Sequence, residues 1–140
     1  MKEIYQLEIP IYNCCLWVFY GPVDDCVAAM KRLQDGEYIK SWREIAVEKP
    51  DTKGLYLYNR KENICILWLP QVPTSIADYG SLVHEIEHFV FRLFDNIGMT
   101  HSDDSDEAYA YLLSYVFKEL DKLASDERGR EEKKQKKVKK

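Results

Sequence analysis

The sequence predicts a single α+β domain. Short runs rich in β-branched and aromatic residues fill most of the N-terminal half. Two long stretches with helical periodicity follow one another in the C-terminal half. The length of 140 residues suits one domain, and 46% apolar content with 13% aromatic residues supplies a real core.

Residues 4–9 and the run CCLWVFY at 14–20 read as strands. Gly21-Pro22 breaks that pattern. Pro22 suits the first position of a helix, Asp24 and Asp25 suit its first turn, and Val23, Val27 and Met30 recur on one face. Gly36 is the expected stop. Residues 37–53 fit neither helix nor strand clearly, although Trp42, Ile45 and Val47 are expected to be buried. Leu55–Asn59 and Ile64–Leu69 are strands joined by the polar stretch NRKEN, which predicts a hairpin. ICILWL is apolar on both faces, as in a strand covered on both sides. Pro73 then ends pairing.

A helix is expected from about residue 75 to 97, with Val83, Ile86, Val90, Leu93 and Ile97 as its core stripe and Gly98 as its stop. A last helix is expected over about 103–124. SDDSDE supplies capping oxygens and acids for its first turn, and Leu112, Val116, Leu120 and Leu123 form its buried stripe.

Residues 1–125 are thus read as the domain, and 126–140, DERGREEKKQKKVKK, as a charged tail expected to be disordered. The tail holds 8 of the 20 basic residues and 4 of the 24 acidic ones, which leaves the domain strongly acidic. An acidic body argues against nucleic-acid binding by the domain. No apolar run is long enough to span a bilayer. MKEIYQLEIP has acids where an export signal needs apolar residues. Cys14, Cys15, Cys26 and Cys65 show no CxxC spacing, so reduced, mostly packed thiols in a cytoplasmic setting are expected.

The chemistry concentrates in HEIEH, residues 84–88. On a helix, His84 and His88 lie one turn apart on one face, and two imidazoles at that spacing reach one tetrahedral zinc ion. Glu85 lies about 100° round the helix, near enough to act as the base for water activated at the metal. HExxH on a helix is a zinc-hydrolase signal for this reason. A third protein ligand is needed, and Asp95, His101, Asp103, Asp104, Asp106 and Glu107 are the candidates. Glu107 sits early in a helix antiparallel to the motif helix, flanked by the small Ala108 and Ala110. Tyr111, one turn further on, could orient Glu107 or donate to an oxyanion; Tyr115 is expected to pack.

HEIEH followed by 18 residues and Glu107 resembles the gluzincin pattern of zinc metallopeptidases, HExxH-x18-E. The resemblance implies Zn2+ held by His84, His88 and Glu107, with Glu85 as general base. It is not a metzincin pattern, because Phe91 and Phe94 stand where that family has Gly and His. The chain also looks like compact HExxH proteins encoded by bacteriophages and prophages. One departure is Glu87, at a position where zincins usually carry an apolar or small residue. The resemblance implies a minimal zincin-like domain: a small twisted sheet packed on the HExxH helix and a following antiparallel helix. It implies an extended protein or peptide substrate lying along an edge strand, with Ile64–Leu69 or PQVPT as the expected rim. With no second domain, a protein partner could complete the cleft, or the shell could bind without cleaving.

Overall fold

A computed structural model describes residues 1, 3–32, 53–59 and 64–138. The expectations for Gly36, for 37–52 and for the hairpin residues 60–63 lie outside this set. The described elements are β1 (Tyr5–Ile9), a 3-10 turn (Pro10–Tyr12), β2 (Cys14–Tyr20), α1 (Val23–Met30), β3 (Leu55–Asn59), β4 (Ile64–Leu69), α2 (Ile76–Asn96) and α3 (Asp106–Val138).

The four strands form one mixed sheet in the order β1-β2-β4-β3. β1 and β2 are antiparallel, turned by the 3-10 helix and by Asn13 in the left-handed region (φ 46°). β2 and β4 are parallel, and β3 returns antiparallel to β4 as the expected hairpin. Gly21, at φ 147°, makes the exit from β2, where its N–H bonds Leu69 O at 3.0 Å and its carbonyl accepts the Trp68 indole at 2.8 Å.

Alternation along β2 and β4 sorts their side chains onto two faces. Trp17, Phe19, Ile66 and Trp68 pack with Cys26, Val27 and Met30 of α1. Leu16, Val18, Tyr20, Leu67 and Leu69 pack with α2 and α3. The sheet is therefore sandwiched between helices, as the two-sided apolar run ICILWL predicts.

β4 is an interior strand, flanked by β2 and β3. The expectation that Ile64–Leu69 forms a rim is corrected: its backbone is paired on both sides. PQVPT is not a rim strand either. Val72 and Pro73 are buried there, and the Pro73 carbonyl accepts a bond from Arg128.

α2 opens on a capping box. Ser75 Oγ accepts from Asp78 N at 3.1 Å, while Asp78 Oδ2 accepts from Ser75 N at 3.0 Å. Gly98, at φ 75°, follows its end as expected. The core stripe is rotated from the expected one. Ile86, Val90 and Leu93 are buried, joined by Leu82, Phe89 and Phe94, while Val83 and Ile97 are 37% and 47% exposed. The helix is wedged between the sheet and α3, so its buried arc is wider than a single stripe.

α3 buries Leu112, Val116, Leu120 and Leu123 as expected. It does not end near residue 124 but runs to Val138. Lys, Glu and Arg are good helix formers, so an established helix propagates through such a sequence. Glu127 is only 5% exposed and pairs with Arg130, and Arg128 donates to Pro73 O and to Tyr79 Oη. The start of the charged stretch is therefore part of the packed structure. Among the described residues, no helix is long and apolar enough to cross a membrane.

Candidate functional site

The helix places His84 and His88 as the spacing requires. Their Nε2 atoms are 3.1 Å apart and their rings meet edge to face, with centroids 4.7 Å apart. Both side chains are exposed. Two nitrogens on one tetrahedral zinc at ordinary bond lengths stand about 3.3 Å apart, so this pair is spaced as two ligands would be.

Glu85 turns the other way, under the edge of the sheet. It is 7% exposed, and a backbone hydrogen bond from Tyr56 in β3 reaches its carboxylate. Burial raises its pKa above the ordinary carboxylate value, with His84, His88 and the Tyr56 amide opposing the shift. Gly54, just before β3, makes this fit possible. A Cβ there would stand 2.9 Å from Glu85 Cγ and 3.1 Å from Oε1.

His84 and Glu85 open together on a cleft of about 440 Å³. Ala77, Gly80 and Ser81 of α2 form one wall, and Lys53 and Gly54 the other. β3, an outer strand among the described residues, begins directly after Gly54 of this wall. A glycine immediately before a strand, in KGLYLY, was a visible signal for Gly54. That Gly54, Tyr56 and Lys53 meet the motif helix was not visible.

Glu107 does not join this group. It is exposed in the first turn of α3, and among the described residues no three His, Cys, Asp or Glu side chains stand as a group able to hold one metal ion. Two geometric facts explain this. The helices pair with Tyr79 Oη 2.6 Å from Asp121 Oδ1 and with the Phe94 and Tyr109 rings 4.4 Å apart. That register sets His88 level with residues near 112–115, roughly 10 Å along the axis from Glu107 at 1.5 Å per residue. In addition, α3 meets α2 through Tyr79 and Phe94, which lie about 160° and 100° round α2 from the midpoint of the two histidines at 100° per residue. The helix expected to supply the third ligand thus packs on another flank.

The remaining candidates are also elsewhere. Asp95 pairs with Arg92, and His101 Nε2 stands 3.3 Å from Asp106 Oδ1; Asp103 and Asp104 are exposed. Tyr111 is 73% exposed and lines, with Tyr115, a groove formed by Ile9–Tyr12 and α3, so neither phenol borders the cleft of Glu85. Glu87 is exposed in the groove between α2 and α3, alongside Phe91 and His101, and does not crowd the two histidines.

Comparison with protein-family models, with curated proteins and with solved structures finds no match. The functional reading rests on the site.

Proposed function

We propose that this chain is a minimal zincin-like, metal-dependent peptidase related to the phage-encoded HExxH proteins it resembles, working in the cytoplasm. The observation that carries this reading is the His84–His88 Nε2 separation of 3.1 Å, with His84 lining a cleft together with the buried Glu85. Two neutral imidazoles suit zinc, and the ion when bound supplies an activated water and a Lewis acid toward the substrate carbonyl.

The chain's own residues do the rest. Desolvation makes Glu85 a stronger base than an exposed carboxylate, so its Oε can take a proton from water and return it to the leaving amine nitrogen. The Tyr56 amide and the bare backbone at Gly54 fix that carboxylate. An extended peptide would lie along β3, an outer strand among the described residues.

A second reading is favoured by one observation: the described residues do not assemble a third ligand. A zincin-shaped protein that binds a partner along the same edge without cleaving it accounts for that.

The test is zinc content of the purified chain, together with cleavage of an unfolded-protein pool by wild type and Glu85→Gln. About one zinc per chain, lost in His84→Ala, and cleavage abolished by Glu85→Gln support the peptidase. Zinc bound with no cleavage supports the binding protein. No zinc at any pH near neutrality overturns the peptidase and leaves only a metal-free binding protein. Glu107→Ala decides the last ligand: retained zinc leaves the site as the structure has it, whereas lost zinc means that α3 repacks toward the histidines.

A further inference from the structure

Away from the histidines, two thiols meet inside the sheet. Cys14 Sγ lies 3.9 Å from Cys65 Sγ, and the two residues are 5% and 2% exposed. Cys14 is the first residue of β2, next to the Asn13 turn, and Cys65 is the second residue of β4. The phenol of Tyr56 donates to Cys65 Sγ at 3.4 Å.

We propose that Cys14 and Cys65 are a peroxide-responsive pair that closes a reversible disulfide between β2 and β4. Cys65 is the sulfur that reacts, because both the Cys14 S–H and the Tyr56 O–H can donate to it. These bonds favour its thiolate, and they lower its pKa against the opposing effect of burial. The contact with Cys65 and burial both push the Cys14 thiol up, which favours its neutral form. The other two cysteines lack this arrangement. Burial raises both, Cys15 to about 12.

The step balances with hydrogen peroxide as the oxidant. The Cys65 thiolate attacks one peroxide oxygen, the O–O bond breaks, and Cys65 becomes a sulfenic acid as hydroxide leaves and is protonated to water. Cys14 sulfur then attacks Cys65 sulfur. The S–S bond forms, the S–O bond breaks, and the hydroxyl departs as water with the proton of Cys14. Two thiols and one peroxide give one disulfide and two waters. The register sets Leu16, not Cys14, opposite Cys65, so closing the sulfurs from 3.9 Å to about 2.0 Å requires movement of the strand end at Cys14.

The test uses the full chain. Folded protein is exposed to hydrogen peroxide, quenched, denatured and alkylated, and then digested without reductant. The expected result is loss of two of the four alkylatable thiols, a linked Cys14–Cys65 peptide, and full reversal by dithiothreitol. In Cys14→Ser, the expected product is a dimedone-trappable sulfenic acid on Cys65. In Tyr56→Phe, oxidation is expected to slow about tenfold, the loss of one hydrogen bond to a charged sulfur. Four thiols still alkylatable after treatment, or oxidation confined to Cys15 or Cys26, overturns the proposal; both results are read on the wild type and need no variant to fold.

Discussion

His84 and His88 hold their Nε2 atoms 3.1 Å apart on an exposed flank of α2. The pair is already spaced for an ion before one binds, so little reorganisation is required of it. His84→Ala or His88→Ala is therefore expected to abolish zinc uptake measured by elemental analysis. Both side chains are exposed, so neither change should move the metal-free stability by more than about 0.5 kcal/mol. The same small effect is expected for Glu107→Ala, which keeps any zinc loss in that variant interpretable.

Gly54 and Gly129 should respond in opposite directions to alanine. At Gly54 a new methyl would press on Glu85 Cγ at 2.9 Å and Leu69 Cδ2 at 3.0 Å. Overpacking of this kind costs about 1–3 kcal/mol. At Gly129, within α3, the space is open, so alanine should stabilise by about 0.5–1 kcal/mol through helix propensity. Chemical denaturation of the two variants checks both. A stabilised Gly54→Ala would show that the strand does not close over Glu85.

The cap of α2 gives a pH dependence with a definite sign. The backbone N–H of Ser75, then that of Thr74, hold the Asp78 carboxyl down to a pKa of about 2, against an ordinary value of 3.8. A depressed carboxylate contributes stability that is present above its unfolded pKa and is lost as pH falls through the folded one. Asp78→Ala is expected to cost about 1 kcal/mol at neutral pH. The gap between variant and wild type should close between pH 4 and pH 2, as followed by thermal melts. A gap that persists unchanged at pH 2 would rule out the carboxylate as its source.

The length of α3 predicts where the chain can be cut. Ending it at Ser125 removes buried Glu127 and the Arg128 bonds to Pro73 O and Tyr79 Oη. Hydrogen bonds to charged groups of this kind contribute about 1.5–3 kcal/mol each, so a loss of at least about 2 kcal/mol is expected. Ending at Glu132 removes, among the described residues, exposed side chains only, and should stay within about 0.5 kcal/mol of the full chain. Urea midpoints of the two truncations distinguish a packed helix from a detachable tail.

The sequence by itself determined what depends on neighbours along the chain. Continuous apolar, aromatic and β-branched runs fixed two strands, CCLWVFY and ICILWL, and the two-sided cover of the second. Helical periodicity fixed α2 and the buried side of α3. The four-residue spacing of HEIEH was enough to bring two imidazoles together, because backbone geometry alone sets which residues share a turn. Tertiary structure decided everything that depends on how elements slide and rotate against one another. It made β4 interior and β3 the edge beside Glu85, and rotated the core stripe of α2 away from Val83 and Ile97. It also set Glu107 on the wrong flank for the histidines and drew Glu127 and Arg128 into the fold. Such registers come from side-chain packing summed over a whole interface, in which each contact contributes little and none is written in a local motif.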